Sequence, residues 1–433
     1  MTHPSLTSWV GSANGHPDFP LQNLPLGIFS RPGGQPCGGV AIGDRILDLT
    51  TALGAGLFRG DAAIAAEAAS GECLNPFFAL PPPLRLALRQ ALQTLLRQGS
   101  EQQPAMTALG DTLLVPRADC DLHLPARVGD YTDFYVGIHH ARNVGALFRP
   151  DQPLLPNYKY VPVGYHGRAS TVCVSGTPVR RPHGQTLPPG HDRPIFGPCQ
   201  RLDYELELGV WIGPGNVMGE PIAIAEAGQH MAGVCLLNDW SARDVQAWEY
   251  QPLGPFLAKN FATSVSPWVV TAEALAPFRR AQPPRPDGDP QPLPYLLDAT
   301  DQATGALDIR LEVLLLTQAM RAHGLAPERL AVSSTLNMYW TIAQLIAHHS
   351  AGGCRLQPGD LFGSGTLSGA QPDAVGSLLE STLGGQRALT LANGEQRTFL
   401  LDGDEVILRA RCYCEGYPSI GLGECRGLVL PAR

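Results

Sequence analysis

Apolar and polar side chains alternate through Leu202-Asp203-Tyr204-Glu205-Leu206-Glu207-Leu208-Gly209, the period of a β-strand, whose successive side chains point to opposite faces. Glu205 and Glu207 therefore share one face and the leucines the other. A helical period governs residues 84–97, where leucines at 84, 88, 92 and 95 or 96 form one stripe directly after Pro81-Pro82-Pro83, which predicts an amphipathic helix. Between Gly38 and Leu49 two short apolar stretches flank Gly43-Asp44, a predicted hairpin. Ser241 and Asp244 have nearly the spacing of a capping box, which predicts a helix from Ser241 with Arg243 and Gln246 on one face. A last helix is predicted from about Leu336 to His349, stopping at Gly352-Gly353, with His348 and His349 placed to favour the helix dipole. Pro- and Gly-rich stretches at 181–198 and 283–294 predict surface loops.

Composition changes this picture in several ways. The 48 glycines and 40 prolines imply many turns and lean the fold toward β structure, while 44% hydrophobic and 16% charged residues imply a packed body. A length of 433 residues exceeds what one core usually holds, so one small and one large domain are expected. The chain turns polar and aromatic at Asp130-Tyr131-Thr132-Asp133-Phe134-Tyr135, so the boundary is placed just upstream, giving domains 1–119 and 120–433. A net charge of −8 without any basic block argues against nucleic acid or an anionic membrane as partner, leaving a small molecule. No run approaches the ~18 apolar residues of a membrane span, and Met1-Thr2-His3-Pro4-Ser5 has neither basic nor apolar leader character, so a cytoplasmic protein is expected. Ten scattered cysteines read as reduced thiols, and Cys412-Tyr413-Cys414 as strand packing rather than half of a zinc site.

Two like charges side by side on a half-buried strand face call for a cation, and oxygen ligands alone suit a hard ion such as calcium or magnesium. Asp133, Glu205, Glu207 and Asp239 are four candidate ligands for one ion; the bland alternative is a solvated acidic face. His139 and His140 follow Asp133 closely, and a histidine acting as base toward water needs a carboxylate on its other nitrogen, for which Glu380 is available. The alternative is a pair of surface histidines. Arg243, Gln246 and Lys259 supply donors suited to an oxyanion, unless Arg243 merely decorates an exposed helix. The serine-hydrolase elbow, the zinc-protease motif and both glycine-rich nucleotide motifs are absent.

Taken together, Asp130-Tyr131-Thr132-Asp133-Phe134-Tyr135, Val161-Pro162-Val163-Gly164-Tyr165-His166-Gly167-Arg168-Ala169-Ser170, Leu237-Asn238-Asp239-Trp240-Ser241-Ala242-Arg243-Asp244 and Gly359-Asp360-Leu361-Phe362-Gly363-Ser364-Gly365-Thr366 resemble the fumarylacetoacetase (fumarylacetoacetate hydrolase) family from about residue 127 to Leu430. The first hundred or so residues resemble that family's small SH3-like domain more loosely. The resemblance implies a mainly β fold with some α, in which a small N-terminal SH3-like β-barrel precedes a large C-terminal mixed β-roll. It implies a homodimer that hydrolyses the carbon–carbon bond of fumarylacetoacetate, a diketo-dicarboxylate, to fumarate and acetoacetate in the last step of tyrosine and phenylalanine breakdown. On that pattern Asp133, Glu205, Glu207 and Asp239 correspond to calcium ligands, and Asp239 faces a second ion, magnesium, near Lys259 and Thr263. His140 matches the general base and Glu380 its orienting partner, while Arg243, Gln246 and Lys259 match the oxyanion donors. Tyr135, Arg149, Tyr165, Tyr250 and Thr366 match substrate-contacting positions. Two departures stand out: Val136-Gly137-Ile138-His139 replaces more polar residues before the base, and Ala262 stands where the family has glycine beside the second ion. The rival readings are an acylpyruvate hydrolase or oxaloacetate decarboxylase of the same superfamily, and a non-catalytic calcium-dependent anion-binding protein, which has no use for a His–Glu pair.

Overall fold

In the structure, a computed structural model describing residues 6–433, the alternating run is split: Leu202–Asp203 is a short strand of its own, Tyr204 and Glu205 belong to no strand, and Leu206–Ile212 is a strand buried along its whole length. The reading of Met1–Ser5 lies outside the described residues. The strand sits between Leu361–Gly363 and Met231–Asp239, antiparallel to both. The full sheet runs Gly164–His166, Tyr131–Phe134, Leu361–Gly363, Leu206–Ile212, Met231–Asp239, Thr263–Val265 and Val172–Val174, with Val270–Thr271 also joined to Met231–Asp239. Period-two alternation then sorts its side chains between two cores. Leu206, Leu208, Val210 and Ile212 enter the larger core together with Val313, Val406 and Leu408 of a second five-stranded sheet, whose strands are Glu328–Ser334, Ile309–Leu316, Glu405–Cys414, Tyr417–Leu430 and Val179–Arg180. Trp211, Cys235, Leu237 and Leu361 face the other way, into a core made largely by the first 113 residues.

That N-terminal half is a five-stranded antiparallel sheet ordered Leu114–Pro116, Arg45–Asp48, Cys37–Ile42, Leu26–Ser30 and Asp121–His123, with helices Asp61–Ser70 and Pro82–Leu96 among those packed on it. The hairpin at Gly43-Asp44 forms as expected, with Gly43 in the left-handed region (φ 59°). Asp121–His123 closes this first sheet and Tyr131 opens the next, so the change of sheet falls between His123 and Tyr131. In Pro82–Leu96 the buried stripe includes Leu88, Leu92, Leu95 and Leu96, but also Arg85 and Arg89. Both arginines anchor the helix: Arg85 pairs with Glu273 at 3.1 Å, and Arg89 donates to the carbonyls of Gln22 and Asn23.

Several expectations are corrected. The helix predicted from Ser241 begins at Arg243 and runs to Glu249. Ser241 and Ala242 are instead extended and pair with Asp203 and Leu202, the Ser241 hydroxyl donates to the Asp239 carbonyl, and Asp244 accepts from Cys199 and the Gln200 backbone. The later helix spans Ile342–Ser350 rather than starting at Leu336, because Thr341 and Gln344 form the capping box. Its two histidines stand in the last turn, where burial opposes the charge that the helix dipole favours. Burial lowers both imidazole pKa values; His349 bonds Thr132 and stacks on Phe362, and His348 meets Tyr295. Part of the 181–198 stretch folds as an exposed hairpin, His183–Thr186 with Ile195–Pro198, whereas 283–292 is a loop, with Arg285 over the rings of Tyr339 and Trp340. All ten cysteines are unpaired, and Cys412 is buried on its strand. No helix among the described residues is long and apolar enough to cross a membrane.

Candidate active site

The four carboxylates meet on the sheet face that, further along the same strands, carries Trp211 and Leu237. Asp133 pairs in register with Gly363, and Gly363 with Gly209, two residues from Glu207 on the central strand. A Cβ on Gly363 would collide with Asp133 Oδ1 and Glu207 Oε2, so only glycine lets the two acids approach. One oxygen from each of Asp133, Glu205, Glu207 and Asp239 lies within 4.8 Å of the others, and all four residues are buried. The Gly365 N–H, in a turn with φ 74°, donates to Asp133 Oδ1 at 3.2 Å and to Glu207 Oε2 at 2.9 Å.

Charge is divided unevenly within this group. Burial raises the pKa of Asp133 well above its ordinary value and Asp239 adds to it; burial and then Asp133 do the same to Glu207. Glu205 is also buried, but Lys259 and Arg243 outweigh burial and hold its pKa low. Lys259 pairs with Glu205 and, at 2.7 Å, with Asp239 Oδ2, while Arg243 Nη1 lies 2.7 Å from Glu205 Oε1. Asp239 further accepts from Tyr165 at 2.8 Å and Thr263 at 3.0 Å. Glu207 Oε1 is buried without a partner among the described residues. An all-oxygen donor set, an orphaned carboxylate oxygen and two carboxyls whose ionisation is opposed by burial and by like charge fit a divalent metal ion. Ala262 belongs to the apolar core.

His140 lies on the helix Ile138–Phe148, buried, with its Nδ1 2.6 Å from Glu380 Oε2. Glu380 also accepts from Asn143 at 2.8 Å, Ser368 at 2.9 Å and Ser377 at 2.8 Å. Burial alone would raise its pKa, but His140 and these donors lower it, so the carboxylate is the stable form. His139 is half-buried and does not line the cleft that His140 lines.

A cleft of about 460 Å³ opens onto this group. His140, Asp133 and Glu205 line it with Arg243, Gln246 and Lys259; Tyr135, Arg149, Tyr165, Tyr250 and Thr366 complete its polar wall. Glu207, Asp239, Thr263 and Glu380 stand behind these residues, contacting them. Arg149 Nε and Thr366 Oγ1 are buried without partners among the described residues. Phe148, Leu155 and Leu253 give the mouth an apolar rim. The sequence reading missed Asn143, Ser368, Ser377 and Asp203. Asn143, three residues after His140 on one helix face, was findable from spacing; the others come from distant segments and leave no local signal.

Comparison with known proteins agrees with this geometry. Residues 131–430 match the family described as fumarylacetoacetate (FAA) hydrolase C-terminal, and residues 22–125 match fumarylacetoacetase N-terminal. The chain is 47% identical to a fumarylacetoacetase of Oryza sativa subsp. japonica over 99% of its length and 98% of that protein. Identity is again 47% to those of Rattus norvegicus and Homo sapiens, over 96% of this chain and 97% of each relative. A solved fumarylacetoacetate hydrolase from psychrophilic Exiguobacterium antarcticum shares the β-rich fold at TM-score 0.50 and 16% identity, covering 95% of this chain and all of that one. A buried four-carboxylate group beside a histidine–glutamate pair, within a sequence matched from end to end at this identity, places the chain in the fumarylacetoacetase family.

Proposed function

We propose that this chain cleaves the carbon–carbon bond of fumarylacetoacetate with water, giving fumarate and acetoacetate, the last step of tyrosine and phenylalanine breakdown. The observation that carries the reading is the pairing of His140 with Glu380 on the wall of the cleft that Asp133 and Glu205 also line. Asp133, Glu205, Glu207 and Asp239 would hold calcium, which would supply Lewis acidity toward the diketone oxygens, and Asp239, Lys259 and Thr263 would border a second, structural magnesium. Glu380 accepts the Nδ1 hydrogen, leaving the Nε2 lone pair of His140 to take a proton from water. The water oxygen bonds to one carbonyl carbon; the adjacent carbon–carbon bond breaks, and its electron pair passes to the acetoacetate fragment, which is then protonated at carbon. Arg243, Gln246 and Lys259 donate to the oxyanion, where losing one donor costs ~3 kcal/mol of barrier. The planar fork of Arg149 receives a substrate carboxylate, and Tyr135, Tyr165, Tyr250 and Thr366 orient the rest.

The test is ultraviolet loss of fumarylacetoacetate with purified protein, before and after chelation and after adding back calcium or magnesium. Turnover that stops on chelation and returns with metal is expected; no turnover under any divalent ion sinks the reading. His140→Ala should abolish turnover while leaving substrate affinity within about threefold, whereas a non-catalytic anion binder would show no turnover to lose.

The finer assignments of fold and setting are part of the same proposal: an SH3-like barrel built on the N-terminal sheet, a β-roll after it, a homodimer and a cytoplasmic location. The small five-stranded antiparallel sheet of the N-terminal segment, with Leu114–Pro116 and Asp121–His123 at its two edges, is what the barrel reading rests on. Sedimentation of the purified chain tests the dimer.

A further inference from the structure

We infer that Asp203 is a positioning residue for the same reaction, fixing the Arg243 guanidinium so that a single nitrogen is left for the substrate. The inference rests on the hydrolase reading above. Asp203 is fully buried and lies outside the four-carboxylate group. Its Oδ2 accepts from Arg243 Nε at 2.9 Å and from the Leu379 backbone N–H at 2.9 Å; its Oδ1 accepts from the Leu378 N–H at 2.8 Å and its neighbour Tyr204 at 2.9 Å. Arg243 is thereby tied to the backbone directly before Glu380. Its Nη1 is engaged as well, by Glu205 Oε1 and Gln246 Oε1. Arg243 Nη2 is buried and has no partner among the described residues, although Arg243 lines the cleft. A guanidinium held at two of its three nitrogens is planar and cannot turn, so Nη2 is preorganised as the donor that meets developing negative charge. Asp203 touches neither cleft nor substrate; it acts through Arg243, and it sets the distance between the oxyanion donor and the His140–Glu380 pair.

A double-mutant cycle tests this in the metal-loaded full chain. Arg243→Ala should lower kcat roughly 100-fold or more. Asp203→Asn, which offers the two backbone amides an NH2 group or forfeits the Arg243 bond, should lower kcat by about 10-fold or more with KM within about threefold. The double variant should be no worse than Arg243→Ala within about threefold, because the loss at Asp203 is already contained in the loss of Arg243. Costs that multiply, or an Asp203→Asn enzyme with parental kcat, overturn the inference. If Asp203→Asn does not fold, Arg243→Lys carries the test, since an ammonium cannot hold Asp203 and Glu205 in one plane and still present a fixed third donor: kcat as low as in Arg243→Ala supports the inference, and kcat within threefold of the parent overturns it. An inactive parent would instead sink the hydrolase reading before any variant is compared.

Discussion

Glu205 and Glu207 are two residues apart on one sheet face, yet their surroundings drive their ionisation in opposite directions. Burial opposes charge on both, and only Glu205 has Lys259 and Arg243 close enough to reverse it. The approach of Glu207 to Asp133 depends in turn on Gly363, so Gly363→Ala should push the two acids apart and weaken calcium binding at least tenfold by isothermal titration, at a stability cost of ~1–3 kcal/mol. Glu380 gives a different signature. Its pKa is depressed in the folded protein, so its stabilisation is complete above the ordinary carboxyl value of about 4.3 and is lost as pH falls through the folded value. Glu380→Gln should therefore cost ~1–3 kcal/mol at neutral pH and show a melting deficit that narrows on acidification toward about pH 3, with kcat down by ~100-fold or more. A deficit that widened in acid would contradict this assignment of charge.

At the scale of elements, local signals were legible where a segment's partners are its own neighbours. The leucine stripe of Pro82–Leu96 and the hairpin around Gly43 could be read directly, since side-chain period and turn chemistry decide them. Ser241 misled because its backbone is recruited by Leu202 and Asp203, some forty residues earlier, and a long-range pairing overrides a capping signal. Thr341 shows the same signal succeeding: Thr341→Ala removes the capping box of Ile342–Ser350 and the bond to Asp301 Oδ2, and should lower stability by ~1–2 kcal/mol, read as a fall in melting temperature of about 1–4 °C. The candidate site was legible as a list of residue types and, through family resemblance, as roles. Its geometry was not. Convergence of Asp133, Glu207 and Asp239 depends on strand register across distant segments, and the support of Glu380 by Ser368 and Ser377 depends on a loop meeting a short helix.

For the whole molecule the decisive fact is that the N-terminal segment does not own a separate core, although the larger core belongs to the C-terminal part alone. Trp211, Leu237 and Leu361 of the central sheet are buried with Leu88, Leu92 and Phe78 of the N-terminal segment, and Arg85 extends the junction with polar bonds to Glu273 and the Met231 carbonyl. Unfolding should accordingly be one cooperative event: near-ultraviolet and far-ultraviolet dichroism are expected to give coincident midpoints, and two resolved transitions would show independent domains. Trp211→Ala, far from the cleft, should cost ~3–5 kcal/mol. Because one side of that sheet is greasy at one end and acidic at the other, the leading segment works as a roof over the hydrophobic end. Anyone transplanting the hydrolytic portion into a chimera would have to graft a matching cover along with it, or accept a sticky, aggregating product whose chemistry was intact on paper.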